Sequence, residues 1–254
     1  MSEPRLVYFD LEILPNLREA LRVWPQLCNF PGRTLKATIT SVICFGYSVG
    51  KETPKVISAW DFPEWVSDVN NDRRVCEAAY EILKDADGVI THNGRRFDWK
   101  YLQTRLLLNK LPTLPKIPHE DTKSLSSSNL YFFSNSLDYI TQLLGLSRKL
   151  DHEGWELWEK VWERNPEAMD LMSKYCAQDV VALQDTYAKL RPFSTATPNH
   201  NLFSPLRVNL CPICGSTRLI RWGYNATKTN RFPRYRCTDC GKTCSTNSKN
   251  EMPR

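Results

Sequence analysis

Two carboxylates stand two residues apart in Phe9-Asp10-Leu11-Glu12, inside an apolar run that reads as a strand. Residues i and i+2 of a strand share a face, so Asp10 and Glu12 project together. Neighbouring carboxylates repel unless a proton or a cation relieves them, and hard divalent cations do so through oxygen ligands. D-x-E alone is a weak signal, common on exposed strands. Two further segments strengthen it. Thr91-His92-Asn93-Gly94-Arg95-Arg96-Phe97-Asp98 falls where a short buried strand gives way to a helix. Tyr175-Cys176-Ala177-Gln178-Asp179 lies in a long helical pattern, with Tyr175 and Asp179 four apart on one face. Carboxylates collected from a strand, a strand–helix junction and a helix can hold metal ions. Metal-assisted phosphodiester hydrolysis needs charge neutralisation and an activated water more than a protein nucleophile.

The ordered set FDLE, HNGRRFD and YCAQD resembles the three motifs of the DEDD 3′–5′ exonucleases, in the branch that carries a tyrosine in the third motif. That family belongs to the ribonuclease H-like superfamily and includes the proofreading domains of family B DNA polymerases; the resemblance covers roughly residues 5 to 190. It implies an α/β fold, a ribonuclease H-like mixed β-sheet flanked by helices. It also implies two Mg²⁺ or Mn²⁺ ions, about 4 Å apart as in other two-metal sites. Asp10, Glu12 and Asp179 would bind the first ion. Asp10, with Asp98 through water, would hold the second, and Tyr175 would orient the attacking water. Leu11, Asn93 and Phe97 are the candidate substrate contacts. The products would be nucleoside 5′-monophosphates.

The cysteines carry a second chemistry. Cys211-Pro-Ile-Cys214-Gly and Cys237-Thr-Asp-Cys240-Gly are two C-x-x-C-G knuckles separated by 22 residues. Each pair can place both thiolates on one tetrahedral ion, with the glycine permitting the tight turn. The expectation is one structural Zn²⁺ held by Cys211, Cys214, Cys237 and Cys240, with Cys244 as a competing ligand. A segment this short cannot bury a sufficient core unaided, so the ion would hold it together. Between the knuckles, Arg and Lys alternate with Trp222, Tyr224, Phe232 and Tyr235, a mixture suited to phosphates and base faces. This tail is also similar to zinc ribbons of some insertion-sequence transposases, which implies DNA binding. The other cysteines, Cys28, Cys44, Cys76 and Cys176, sit among apolar residues and read as small buried side chains.

The elements that must position these groups follow from periodicity and turn residues. Strands are expected over Arg5–Ile13, Thr38–Val49 and Lys55–Trp60, the last two forming a hairpin, then over Gly88–Thr91 and within His119–Lys123. Helices are expected over Asn71–Asp85, Phe97–Leu108, Ser136–Leu144, Trp155–Glu163 and Pro166–Leu190, the last with Asn165 as N-cap and Pro166 in its first turn. Trp155, Trp158 and Trp162 share one helical face and are expected to be buried. His92 is expected to be a structural hydrogen-bonder, Asp121 to support the site, and Asp138 to cap a helix or face solvent. The domain expectation is a nuclease domain over 1–192, a linker over 193–206 rich in Pro, Ser, Thr and Asn, and a zinc ribbon with a basic tail over 207–254.

Charge is distributed to match. Residues 201–254 hold ten Lys/Arg against two Asp/Glu, a balance of +8 within a total of +6, so the body is near neutral and the tail is an electrostatic handle for a polyanion. Nucleic acid, DNA before RNA, is the expected partner. No apolar run approaches a membrane span and the N-terminus does not read as a signal peptide, so no membrane role and an intracellular, cytoplasmic location are expected. No phosphate-binding glycine loop or nucleophile elbow competes with the carboxylates. Two alternatives remain: a structure-specific endonuclease on the same fold, and an inactive protein that binds nucleic acid through its ribbon.

Overall fold

The computed structural model describes residues 3–14, 40–146, 154–203 and 210–245. The elements in chain order are β1 (Leu6–Ile13), β2 (Val42–Val49), β3 (Lys55–Ser58), α1 (Pro63–Ser67), α2 (Arg73–Leu83), β4 (Gly88–Thr91), α3 (Asp98–Leu108), β5 (His119–Asp121), α4 (Thr122–Asn129), α5 (Leu137–Leu143), α6 (Trp155–Trp162), α7 (Pro166–Leu190), β6 (Leu219–Ala226), β7 (Arg231–Cys237) and β8 (Thr243–Ser245). Among the described residues no helix is long and apolar enough to cross a membrane.

Five strands form one mixed sheet in the order β3-β2-β1-β4-β5. β1 pairs antiparallel with β2, β2 antiparallel with β3, and β4 lies parallel to both β1 and β5. Helices cover the sheet on both faces, and the period-2 alternation of β1 divides its side chains between them. Val7, Phe9 and Leu11 enter the main core, where Phe9 meets Phe45 and Trp99 of α3. Tyr8 points the other way and packs edge-to-face on Tyr187 of α7, with ring centroids 5.8 Å apart. Asp10 and Glu12 follow Tyr8 on that second face. A register shift after Glu12 ends the regular ladder beside them.

The approach of α7 depends on a glycine. Gly46 of β2 stands opposite Asp10, and a Cβ there would lie 2.7 Å from Cys176 Sγ and 3.0 Å from its carbonyl oxygen. The missing side chain lets the Tyr175–Val180 turn settle directly on the sheet. Cys44, Cys76 and Cys176 are all fully buried, as expected of small apolar side chains; Cys28 lies outside the described residues.

Most elements stand where periodicity places them, and the departures have local causes. The second strand begins at Val42 rather than Thr38; of the four residues before it, 38 and 39 lie outside the described residues. The third strand stops at Ser58 rather than Trp60. Asp61 Oδ2 accepts from the Ser58 amide at 2.9 Å and turns the chain into a short 3₁₀ helix. Two helices, α1 and α4, are absent from the sequence reading. α4 has the sequence TKSLSSSN, a poor helix former by composition, started by the Asp121 cap and fixed by buried Leu125. In α6 the fully buried pair is Leu157 and Val161, while Trp158 and Trp162 pack half-buried on the core flank; the side chain of Trp155 lies outside the described residues.

A separate three-stranded antiparallel sheet, β6-β7-β8, follows. The segment leading to it is attached to the edge of the large sheet. Glu120 of β5 accepts from Ser194 Oγ at 2.5 Å and from the amides of Thr195 and Ala196 at 3.0 Å. Lys242, beyond β7, donates to the Ser194 carbonyl at 2.6 Å.

Candidate metal centres and cleft

Asp10 and Glu12 on β1 meet Asp179 on α7: one carboxylate oxygen from each lies within 4.8 Å of the others. Glu12 and Asp179 are buried and Asp10 half-buried. Asp179 occupies the buried stripe of α7, where helical periodicity otherwise supplies Met172, Cys176, Val180 and Leu183. Three converging carboxylates in little water carry a large repulsion that a divalent cation would relieve. Tyr175 lies one turn before Asp179, 8% exposed, its ring edge-on to Trp158 at 6.3 Å.

Asp98 is not part of that triad, but it adjoins β1. It is the first residue of α3, and its carboxylate accepts from the Leu11 amide and its own. Burial pushes the Asp98 carboxyl up to about 7, opposed by those two amides and reinforced by the Asp121 charge. The Leu11 side chain is buried in the main core, on the face of β1 opposite Asp10 and Glu12.

The loop from Thr91 to Asp98 is held by a residue from the next strand. Asp121 accepts from the Asn93 amide at 3.0 Å and the Arg95 amide at 3.1 Å, and caps α4 through the amides of Lys123 and Ser124. Asn93 has φ +68°, a left-handed conformation that asparagine tolerates better than most residues. A Cβ at Gly94 would lie 2.4 Å from Thr91 Oγ1, so only glycine fits that turn. His92 is a hydrogen-bonder, with Nδ1 at 2.9 Å from Thr122 Oγ1 and Nε2 at 3.0 Å from the Asn135 carbonyl oxygen. Asp121→Ala leaves four amides without this acceptor. Its expected cost is about 2–4 kcal/mol of folding stability, read from urea denaturation. A change under about 1 kcal/mol would mean that other contacts hold the loop.

Asp10 and Asp179 open into a cleft of about 300 Å³, which they line with His92, Asn93, Lys123, Ser136, Leu137 and Asp138; Glu12 and Asp98 are not in its lining. Asn93 thus reaches the cleft. Phe97, 41% exposed, does not; its ring lies tilted against Tyr101 and lines a different depression with Arg96 and Lys100. Asp138 lines the cleft and accepts from Gln142 at 2.8 Å. Lys123, Ser136 and Leu137 were not singled out by sequence reasoning. Lys123 belongs to the helix hidden by its serines, and no spacing pattern links it to the carboxylates.

The model of the RNase H superfamily matches residues 34–191, more than half of the chain. The chain belongs to the RNase H superfamily. The matched interval includes Asp98, Tyr175 and Asp179 and begins after Asp10 and Glu12, which the structure joins to this RNase H-like domain through β1. Among solved structures, the chain is similar to the family B DNA polymerase from the hyperthermophilic archaeon Pyrobaculum calidifontis, with 17% identity and a TM-score of 0.54. The likeness covers 75% of this chain and 25% of the polymerase, so the chain spans about a quarter of that protein's length. No curated protein matches it.

Beyond the RNase H-like domain, Cys211, Cys214, Cys237 and Cys240 bring their sulfurs within 4.8 Å of one another. Cys211 Sγ is 3.5 Å from Cys240 Sγ, and Cys214 Sγ is 3.7 Å from Cys237 Sγ. These separations exceed a disulfide bond and approach the edge of a tetrahedron with metal–sulfur bonds of about 2.3 Å. Gly215 and Gly241 take φ +72° and +74°, and their amides return to the Cys211 and Cys237 carbonyls, closing both knuckles as the C-x-x-C-G spacing anticipates. Cys244 sits on β8 opposite Tyr235 and is not in the four-sulfur group.

Proposed function

We propose that the chain is a divalent-metal-dependent 3′–5′ exonuclease that hydrolyses nucleic acid, single-stranded DNA foremost, to nucleoside 5′-monophosphates. The convergence of Asp10, Glu12 and Asp179 at the cleft carries this reading. In it, those three side chains hold one Mg²⁺ or Mn²⁺ ion, and Asp10 with Asp98, through water, holds a second. Such ions, when bound, lower the pKa of a water and stabilise the charge of an in-line displacement. Tyr175 orients that water from one helical turn away. Asn93 positions the terminal nucleotide, and Lys123 neutralises a non-bridging phosphate oxygen. In this reading Leu11 acts through its amide, which holds Asp98, and Phe97 serves nucleotides outside the cleft. The cleft volume is at the small end of ligand pockets, which suits a single terminal nucleotide. DNA comes before RNA because the similar solved structure is a DNA polymerase.

The four cysteines hold one Zn²⁺ in this reading, since soft thiolates in a closed tetrahedral set suit that ion. The division into a nuclease domain over 1–192, a connection over 193–206 and a ribbon over 207–254 belongs to it too, as does an intracellular setting that keeps the thiols reduced. The ribbon serves as a grip on nucleic acid. Support comes from its guanidiniums stacked on rings: Arg231 lies 3.8 Å and Arg221 4.6 Å from the Tyr224 centroid, and Arg236 lies 5.1 Å from that of Trp222. Trp222 and Tyr224 keep nearly half their surface in solvent.

The test is time-resolved degradation of a 5′-labelled single-stranded oligonucleotide. The expected result is a ladder shortening from the 3′ end with Mg²⁺ or Mn²⁺ and no products with EDTA. Internal cuts at early times would replace the exonuclease reading with an endonuclease. No products on DNA or RNA with any divalent ion would leave a binding protein.

A further inference from the structure

Tyr131 and Phe133 are each 88% exposed, the most solvent-exposed large hydrophobic side chains among the described residues. They sit at the tip of the connection between α4 and α5, with ring centroids 6.0 Å apart and planes at 68°, while Phe132 between them is half-buried. The loop is anchored at its far end. The Asn135 carbonyl accepts from His92, Asn135 Oδ1 accepts from Ser126 Oγ at 2.7 Å, and Ser136 caps α5 while lining the cleft. The two rings are therefore attached to the rim of the carboxylate cleft, through a residue of the same motif that supplies Asn93 and Asp98.

We infer that Tyr131 and Phe133 form a base-stacking platform that receives the unpaired nucleotides behind the one in the cleft, and so select single-stranded over duplex ends. The inference rests on the nuclease reading and deepens it. Rings held off the core and in solvent offer π-faces that unstacked bases can cover, and this contact tolerates any sequence. A duplex keeps its base faces covered except for the outer face of its terminal pair, so behind its end it has no unstacked bases to offer. Lys123 inside the cleft supplies the charge complement for the phosphate that leads the strand in. Because the loop's end is fixed before substrate arrives, little ordering cost opposes the contact.

The experiment is fluorescence anisotropy of a labelled oligo(dT) of roughly 12 nucleotides and of a blunt duplex, with full-length protein and Ca²⁺. Tyr131→Ala and Phe133→Ala are each expected to weaken single-strand binding at least about fivefold, and the pair together more than either alone but not by the simple product, because the two rings touch. The ratio of single-strand to duplex affinity falls accordingly. Tyr131→Trp and Phe133→Tyr keep the aromatic face and are expected to retain binding. Thermal melting checks that the variants fold, as substitutions at exposed tips generally do. Unchanged single-strand affinity in the folded double variant overturns the inference and leaves the pair as a protein-docking feature. Equal losses for strand and duplex also overturn it. Failure of the wild type to cleave would remove the nuclease reading instead, with the affinities still read independently.

Discussion

Asp10→Ala is expected to lower hydrolysis by about a thousandfold or more while leaving the folded protein as stable as before or slightly more so. The two halves of this result have one cause. In the proposed mechanism Asp10 serves both ions, so its loss removes ligands from each. In the metal-free protein the same carboxylate lies against Glu12 and Asp179, all three within reach of one ion. Removing one like charge relieves repulsion, the usual trade between stability and activity at a functional site. Combining Asp10→Ala with Asp179→Asn should cost little further activity, because groups acting as one unit are not additive. Initial rates with Mg²⁺ and melting curves in EDTA read the two halves. Residual activity above about a tenth of wild type, far from the loss that such a ligand's removal entails, would mean that the cleft residues do not hold the ions.

Removing the zinc proposed for the four-cysteine cluster is expected to unfold β6, β7 and β8 and leave the five-stranded sheet intact. The buried core of the small sheet is Cys211, Ile213 and Cys237, with Cys214, Leu219 and Cys240 packed around it. Without metal almost nothing apolar remains to oppose chain entropy. Apparent zinc-binding energies in comparable small folds are about 10–16 kcal/mol, which is their folding energy. Elemental analysis should find about one zinc per chain, the stoichiometry of a closed four-thiolate site. Hydrogen exchange after treatment with a thiol-specific chelator, or in Cys211→Ser, should show β6–β8 amides unprotected and β1, β2 and β4 amides still slow. If the ribbon grips nucleic acid, oligonucleotide affinity falls in parallel and its salt dependence becomes shallower. Strands that stay protected without zinc would remove the structural-metal reading.

The parts legible in the sequence are those whose information is local. Asp10 and Glu12 share a face because a strand repeats every two residues, and Tyr175 and Asp179 because a helix nearly repeats every four. Both cysteine knuckles were legible for the same reason: a tight turn and two thiolates are encoded within five residues. The long helix Pro166–Leu190 announced both its cap and its apolar stripe. Where signals competed locally the reading slipped. Asp61 turned the third strand early, and the serines of α4 hid a helix that its Asp121 cap starts.

What only the tertiary structure decided was distance across the chain. No sequence rule shows that Gly46 lets α7 close on Asp10, since the atoms a Cβ would strike lie 130 residues further on, at Cys176. The sequence marks Asp121 as a supporting carboxylate, but its bonds to Asn93 and Arg95 exist only once β4 and β5 are parallel neighbours. Leu11 and Phe97 stand inside the carboxylate motifs, yet alternation turns one into the core and the non-helical backbone just before α3 carries the other out of the cleft. Lys123 enters the cleft, and Tyr131 and Phe133 stay in solvent beside it, through packing that no periodicity records. The sequence by itself determined which side chains could do the chemistry, because ligand types and short repeats are local properties. Folding decided which of them meet, because that depends on the contacts between distant segments that close the core.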